Sequence, residues 1–317
     1  MPTTLADTRD GILLTLACVF GALIAPVLPV VGFPVCAAAL AGLVYRSRMA
    51  LAVVAMLVAL AITAAVWWTD VLVVGPALIA VVFAASRLGR SGTVNVAVAL
   101  VPVFALGFAA SELARAWMME LSVRDYLTQA VEQIDAVLVA GGAAGSLPGT
   151  EELVDTMIRF MGAGYLVMAV VTVVPTLAAI VWAARRSGVE LKRAPGLDAL
   201  DMSPHVLWTL VGALAFMAAG RFLGDGEGWV SSAGLNLLIA AKIVLFAQGL
   251  GVLAAGLKAA EVGRLGRALA YVVAIVLEGP MWIVSIVGLL DFWVNFRKLA
   301  RETPSGTGQA GGENPLT

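Results

Sequence analysis

The stretch ALAVVAMLVALAITAAVWW, residues 50–68, decides the fold class of this protein. It holds no charged residue, and it ends in Trp67 and Trp68. A helix of about 20 apolar residues is long enough to cross the hydrocarbon core of a bilayer. Tryptophan side chains are typical of the interface at which such a helix leaves the lipid. Residues 50–68 therefore predict a membrane-spanning helix.

The composition of the whole chain extends this prediction. Of its 317 residues, 61% are hydrophobic and 13% are charged, and the mean hydropathy is +0.97. A soluble domain averages about a quarter charged residues. Apolar runs of about 18 residues or more recur along the chain, as expected where lipid is the solvent. The sequence predicts a multi-pass integral protein of the cell membrane, surrounded by the lipid bilayer.

Several functional classes are disfavoured by what the sequence lacks. The formal net charge of -1 gives no reason to expect a nucleic-acid partner. His205 is the only histidine, and Cys18 and Cys36 lie in apolar segments without a CxxC pattern, so we expect no metal site. The usual nucleotide-binding and hydrolase signatures are absent. We expect neither an enzyme activity nor a cofactor.

The first apolar run is too long for one comfortable span. Pro26, Pro29 and Pro34 interrupt it near its middle. Proline removes a backbone donor and breaks or kinks a helix, so the run predicts a broken pair of short helices over 11–27 and 31–45. These prolines either expose backbone to a cavity or simply kink the helices, and the sequence leaves both open.

The last apolar run raises the same question. Residues 268–296 are long enough for two half-passes that turn at EGP, residues 278–280, and return the C-terminus to the cytoplasm. A single pass is the alternative, but it places Arg297 and Lys298 outside, against the preference of basic residues for the cytoplasm. The expected fold is an all-α polytopic transmembrane helical bundle of about eight to ten membrane segments, with Pro-broken first and last segments.

Charged loops give the expected orientation and domain organisation. By the positive-inside rule, the basic loops are cytoplasmic; they hold Arg46 with Arg48, Arg87 with Arg90, residues 185–193 and residues 258–267. Residues 112–159 carry eight acidic residues against three basic ones and suit the outside. Residues 111–159 therefore predict an extracytoplasmic amphipathic insertion with a helix break near Ser122. We expect one helical domain over 1–302 and a disordered cytoplasmic tail over 303–317.

Lys242 is the most anomalous charge in the chain, because it lies near the middle of an apolar span over 230–257. A charge at membrane depth is costly and points inward, usually to a partner. Gly249 and Gly256 follow at steps of seven, which places Lys242 on a face where another helix can approach closely. Lys242 is either an anchor for an anionic ligand or half of a structural ion pair.

Glu278 is the natural counter-charge for Lys242. At the tip of a re-entrant pair, it would lie beside backbone groups that are free to bind a ligand. The alternative is an interfacial glutamate that caps a turn. Gln248 and Asn236 lie on the same helix as Lys242 and either contact the ligand or hydrogen-bond between helices. The predicted ligand-binding residues are Lys242, Glu278, Gln248 and Asn236.

The C-terminal stretch GLLDFWVNFRKLA, residues 288–300, mixes polar and aromatic residues directly after the last span. Its aromatic residues and the pair Arg297–Lys298 predict an anchor at a cytoplasmic interface. In a continuous helix, Asp291 and Arg297 lie six residues apart on nearly opposite sides, so a direct bridge between them is expected to be poor. Asp291 would then find its partner on another element, such as the basic loop 185–193 or 258–267.

Three motifs stand out: GLLDFWVNFRKL after the last span, LFAQGLGVL over 245–253, and DMSPHVLWTL over 201–210. Together they resemble the YybS-like family of predicted bacterial membrane proteins, domain of unknown function 2232. The resemblance covers nearly the whole chain, and the Pro-broken N-terminal pair also fits it. The positions that carry it are Gly288, Asp291, Arg297, Lys298, Pro204 and Trp208.

The family looks distantly similar to the membrane-embedded substrate-binding components of energy-coupling-factor vitamin importers. That similarity implies a helical bundle that holds a small ligand and works with a cytoplasmic energising partner. The chain has no ATP-binding motif, so ATP-driven transport would need a separate ATPase or another membrane subunit. We expect a small-molecule transport component of the bacterial inner membrane. The alternative is a non-catalytic scaffold or assembly factor for envelope proteins.

Overall fold

The structure, a computed structural model, describes residues 5–91, 93–141, 149–189, 196–224 and 228–299. Over these ranges the chain is helical and holds no strand, which confirms the all-α fold class. The helices of the described chain are α1 (Leu5–Ile24), α2 (Pro29–Tyr45), α3 (Met49–Val66), α4 (Val71–Ser91), α5 (Thr93–Met118), α6 (Val123–Ala140), α7 (Thr150–Arg186), α8 (Val206–Phe222), α9 (Trp229–Ala259), α10 (Arg264–Met281) and α11 (Ile283–Val294).

Helix length and hydropathy confirm a multi-pass membrane protein. Among the described residues, five helices are long and apolar enough to cross a membrane: α3, α4, α5, α7 and α9. The bent pair α10–α11 raises the number to as many as six if it counts as one span. Helices α2 and α8, of 17 residues each, are apolar but shorter. The eight to ten membrane segments expected from sequence include these shorter helices and the two halves of each broken run.

The chain divides into two compact units. The first comprises Met1–Ala194 and Thr209–Ala240, and the second comprises Pro195–Trp208 and Ala241–Thr317. Helix α9 begins in the first unit and ends in the second. The single domain over 1–302 stays a prediction, and the predicted tail over 303–317 lies outside the described residues.

Helix α2 occupies the centre of the first unit, where it packs against α1, α3, α4 and α7. Its Phe33 and Leu40 side chains are fully buried, and the Phe33 ring meets the ring of Phe104 edge-to-face, with centroids 4.7 Å apart. Cys36 is buried and its Sγ donates to the carbonyl of Cys18 at 3.2 Å. The break between α1 and α2 falls at residues 25–28, as the prolines predict.

The amphipathic segment 111–159 is continuous at both ends with long helices. Its beginning extends α5, and its end opens α7. Between them, Ser122 caps α6 by accepting the amide hydrogen of Asp125 at 3.1 Å, which confirms the break predicted at Ser122. The connector residues 142–148 lie outside the described residues. Helix α7 has 37 residues and is therefore about 55 Å long, more than the hydrocarbon core of a bilayer requires.

The second unit contains a sharp turn between its last two described helices. Helices α10 and α11 meet at 99° around Trp282, which takes left-handed dihedrals of φ 53° and ψ 21°. The structure therefore confirms that the last apolar run is broken into two segments. The turn predicted at residues 278–280 is placed too early, because α10 continues to Met281 before the chain turns.

Helices α9 and α11 cross in direct backbone contact in the second unit. A Cβ atom on Gly249 would lie 1.9 Å from the carbonyl oxygen of Val284. A Cβ atom on Gly288 would lie 2.0 Å from the carbonyl oxygen of Leu245. Small residues permit such a close approach, and close packing drives helix association in lipid. The sequence predicted that Gly249 and Gly256 lie on the helix face of Lys242, where another helix can approach closely. The structure shows this close approach at Gly249.

We predict that Gly249→Ala lowers the unfolding temperature of the detergent-solubilised protein, because the new methyl group meets the backbone of α11. The matched control is Gly256→Ala on the same helix, where no atom lies within 4 Å of the new Cβ. Alanine is favoured over glycine in a helix by about 0.5–1 kcal/mol, so the control keeps or raises the unfolding temperature. Circular dichroism on heating measures both, and equal effects would contradict the close crossing.

Candidate functional site

Lys242 and Glu278 form an ion pair, as the sequence predicts. The Nζ atom of Lys242 lies 3.7 Å from Oε1 of Glu278, and the two side chains are 21% and 10% exposed. The same Nζ atom donates to the backbone carbonyl of Glu278 at 3.4 Å. It also lies 4.3 Å from the centre of the Trp282 ring, within the range of a cation–π contact. The partly buried lysine is thus held at the turn between α10 and α11.

Glu278 also caps the N-terminus of α11. Its Oε2 atom accepts the amide hydrogens of Val284 and Ser285, each at 3.1 Å. Its Oε1 atom accepts the hydroxyl hydrogen of Ser285 at 2.5 Å. The first amides of a helix have no partner within the helix and carry partial positive charge, so a carboxylate stabilises them. Glu278 therefore makes the contacts of a turn-capping glutamate as well as those of an ion pair.

Gln248 joins a second cluster, in which its own side chain and those of Asp291 and Arg297 are buried. Its Nε2 atom donates to Asp291 at 2.9 Å and to Asp201 at 3.1 Å, and its Oε1 atom accepts the amide hydrogen of Met202 at 3.0 Å. Arg297 donates to the same Asp291 oxygen from Nη2 at 2.8 Å and from Nε at 3.2 Å. We call these residues the Arg297 network.

The expectation of a poor direct bridge between Asp291 and Arg297 is wrong. Helix α11 ends at Val294, and Asn295 takes left-handed dihedrals of φ 50° and ψ 56°. The chain therefore leaves the helix before Arg297, and helical spacing no longer separates the two side chains. Arg297 is not an interfacial anchor either, since its side chain is 1% exposed and its Nη1 atom donates to the carbonyl of Leu200. Two basic loops, 185–193 and 258–267, were considered as partners for Asp291. Of the first, residues 190–193 lie outside the described residues.

The Arg297 network brings the three sequence motifs together. Gln248 comes from the motif on α9, Asp201 from the motif that precedes α8, and Asp291 with Arg297 from the C-terminal motif. The sequence singled out each motif separately and did not predict that they meet. Of the other marked positions, Trp208 and Lys298 are exposed, and the carbonyl of Pro204 accepts the amide hydrogen of Leu207 in the turn that opens α8.

Asn236 hydrogen-bonds between helices in the first unit. Its Oδ1 atom accepts the amide hydrogen of Ala163 at 2.6 Å, and its Nδ2 atom donates to the carbonyl of Arg159 at 3.0 Å. Both partners lie on α7, so Asn236 has the contacts expected of a residue that joins two helices. The ligand-binding role of Lys242, Glu278, Gln248 and Asn236 stays a prediction.

Sequence reasoning missed a charged cluster in the first unit. Asp70, only 4% exposed, accepts hydrogen bonds from the hydroxyl of Ser111 at 3.0 Å and from the guanidinium of Arg115 at 2.5 Å. Arg115 also pairs with Glu112 at 2.9 Å. Burial raises the pKa of Tyr126, whose hydroxyl meets Arg115 and Glu112, so the phenol stays neutral at neutral pH. The available signal was Ser111 four residues before Arg115, on one helix face.

This charged cluster borders a cavity of about 260 Å³. The cavity is lined by Asp70 and Arg115 on one side and by Pro26 and Pro29 of the α1–α2 break on another. Tyr165 of α7 also faces it, and Phe108 of α5 adds an apolar wall. The broken segment therefore borders a cavity at Pro26 and Pro29, and the two possibilities that the sequence left open for these prolines stay predictions.

We predict that exchanging the charges, Lys242→Glu with Glu278→Lys, does not restore stability. Lysine at position 278 cannot accept the amide hydrogens of Val284 and Ser285, and a lost cap costs about 1–2 kcal/mol. Glu278→Gln keeps an acceptor and serves as the milder control. Thermal unfolding in detergent compares the two single variants, the double variant and Glu278→Gln. A double variant as stable as the wild type would show that the ion pair alone holds the turn.

Replacing one partner in the Arg297 network should be severe. We expect Asp291→Ala to cost about 3–5 kcal/mol, because it leaves the buried Arg297 charge without its carboxylate. The matched control, Lys298→Gln, changes an exposed basic residue beside Arg297 and should stay within about 0.5 kcal/mol of the wild type. Chemical unfolding followed by tryptophan fluorescence gives both values. Similar midpoints for the two variants would contradict a stabilising role for the network.

Comparison with known families accounts for most of the chain. Residues 12–292 match the family described as "Predicted membrane protein (DUF2232)". No curated protein and no solved structure matches the chain. The match includes α2 to α10, both halves of the Lys242–Glu278 pair, and the charged cluster around Asp70. The chain therefore belongs to the DUF2232 family of predicted membrane proteins.

Proposed function

We propose that this protein is a small-molecule transport component that binds its ligand in the cavity beside Asp70 and Arg115. The observation that carries the proposal is a charged pair, with Asp70 only 4% exposed, held at the wall of a cavity in the first unit. Burying a charge is costly unless it is paired, and buried charged groups that border a cavity are candidates for a ligand site. Ligand pockets combine apolar walls with a few converging polar groups, and this cavity has that make-up.

The charges of the cavity favour a cationic ligand. Two carboxylates, Asp70 and Glu112, face one guanidinium, Arg115, which leaves one negative charge in excess. The aromatic rings of Phe108 and Tyr165 line the same space and offer faces to a positive group. At about 260 Å³, the cavity is slightly smaller than the range of about 300–1,000 Å³ that is typical of ligand pockets, so only a small ligand fits it. We propose a small amine with an apolar body.

This proposal moves the ligand site away from the residues expected from sequence. Lys242 and Glu278 were expected to set the charge selectivity of the site. Their contacts in the turn between α10 and α11 account for both charges without a ligand. The Asp70 cluster, by contrast, lines a cavity. We keep a separate cytoplasmic ATPase, or another membrane subunit, as the proposed energising partner, because the chain has no ATP-binding motif.

A scaffold or assembly factor for envelope proteins is the second candidate. The observation that favours it is the apolar surface of α6, where Ile134, Val137 and Val139 are each more than half exposed. An amphipathic helix with such a face lies on a leaflet or binds a partner protein. Helix α6 lies in the segment whose acidic charge suits the outside of the membrane. Envelope proteins that co-purify through α6 would support this function.

We predict that phenylethylamine raises the unfolding temperature of the purified protein more than phenylethanol or 3-phenylpropanoate does. The three probes share an apolar body and differ in charge. Glu112→Gln removes the excess negative charge while Asp70 still pairs with Arg115, so the affinity for the amine should fall roughly tenfold, or about 1.4 kcal/mol. The matched control is Asp155→Asn, which neutralises an exposed carboxylate paired with Arg124.

The outcomes separate the parts of the proposal. Preferential binding of the carboxylate probe, weakened by a change at Arg115, would keep the cavity as the site and reverse the ligand charge. Binding of the amine that is unaffected by Glu112→Gln would place the ligand elsewhere. Absence of a shift with all three probes, together with capture of an envelope protein, would favour the scaffold.

A further inference from the structure

The surface between α4 and α5 carries an apolar groove of about 360 Å³. The groove is open where small residues, among them Ala84 and Ala99, line it. The side chain of Phe83 forms one of its walls. The groove lies along two helices that are long and apolar enough to cross the membrane. In a bilayer, the neighbours of such a surface are acyl chains. The groove therefore offers a place for a chain rather than for a water-soluble ligand.

One basic side chain lines this groove. Arg87 belongs to the last turns of the apolar span Trp68–Leu88, and its guanidinium lies 4.9 Å from the centre of the Phe83 ring. Its side chain is exposed, and among the described residues no carboxylate pairs with it. The loop that follows is predicted to be cytoplasmic from its basic residues. Arg87 thus combines an available positive charge with an apolar groove at the membrane interface.

A second apolar groove, also lined by a basic residue, lies between α1 and α3. It has a volume of about 350 Å³ and is lined by Ile12, Leu16 and Leu51, with Arg48 as its basic residue. Arg48 precedes α3 directly, in another loop predicted to be cytoplasmic. Both grooves lie in the first unit. The same chemistry therefore recurs at two separate helix pairs, at ends assigned to the same side of the membrane.

We propose that each groove binds one anionic phospholipid of the cytoplasmic leaflet, with its acyl chain along the apolar walls and its phosphate at the arginine. A guanidinium binds phosphate through two parallel hydrogen bonds and is always charged. Anionic lipids concentrate basic residues at the cytoplasmic surface, and basic pockets between helices bind their head groups. The proposal is independent of the ligand proposed for the Asp70 cavity, because it uses different helix pairs and lipid in place of an amine.

Native mass spectrometry of the full chain, released from mixed micelles with equal phosphatidylglycerol and phosphatidylcholine, tests the proposal. We expect phosphatidylglycerol to be retained preferentially. Arg87→Gln and Arg48→Gln should each remove about one retained phosphatidylglycerol, and the double variant about two. The matched control is Arg186→Gln, whose guanidinium also lies over an aromatic ring, Trp182, but which lines neither groove. This control should keep the wild-type lipid count.

A second variant tests the acyl-chain half of the site and leaves the charge in place. Ala99→Leu fills the α4–α5 groove and should remove the same phosphatidylglycerol as Arg87→Gln. Equal retention of phosphatidylcholine, or equal loss in Arg186→Gln, would overturn specific recognition at the two arginines. Inorganic phosphate that displaces the lipid would show head-group binding without the groove. Dimers that form in place of lipid binding and vanish with Ala99→Leu would identify a second copy as the occupant.

Discussion

The buried pair of Asp291 and Arg297 is the interaction on which the second unit depends. Neither side chain is more than 1% exposed, so neither charge is stabilised by water or by the lipid interface. A buried charge is tolerated only when it is paired and its hydrogen bonds are satisfied. Gln248 and the carbonyl of Leu200 satisfy part of this requirement. The pair therefore constrains α9, the end of α11 and the segment before α8 at once.

The glycine crossing and the buried pair reinforce each other. Gly249 and Gly288 bring the backbones of α9 and α11 into contact, which places Gln248 within reach of Asp291. Without that approach, the amide of Gln248 would not reach the carboxylate, and a buried polar group would be left unsatisfied. The glycines and the charged residues of the family motifs therefore belong to one packing arrangement of α9 and α11.

Features that depend on neighbouring residues were easier to predict from the sequence than features that depend on residues far apart in the chain. Span positions, the N-terminal break and the helix break near Ser122 follow from local hydropathy and local helix-breaking residues, and they were predictable. The pairing of Lys242 with Glu278 was predictable because two isolated charges in apolar segments leave few alternatives. The approach of Asp291 to Arg297 was not, because it depends on the left-handed residue Asn295. Asp70 and Arg115 lie 45 positions apart, and no local pattern links them.

The length of α7 gives the first unit a mechanical property. In this one helix, Ala163 contacts Asn236 and Tyr165 lines the cavity. The basic residues Arg185 and Arg186 lie at its C-terminal end. A hydrogen-bonded helix resists stretching, so a displacement at one end is transmitted to the other as a tilt or a slide. Pro175 is the one position inside α7 where the helix lacks a backbone donor and bends more easily. Helix α7 can therefore bend at Pro175, and its segment before Pro175 lines the cavity.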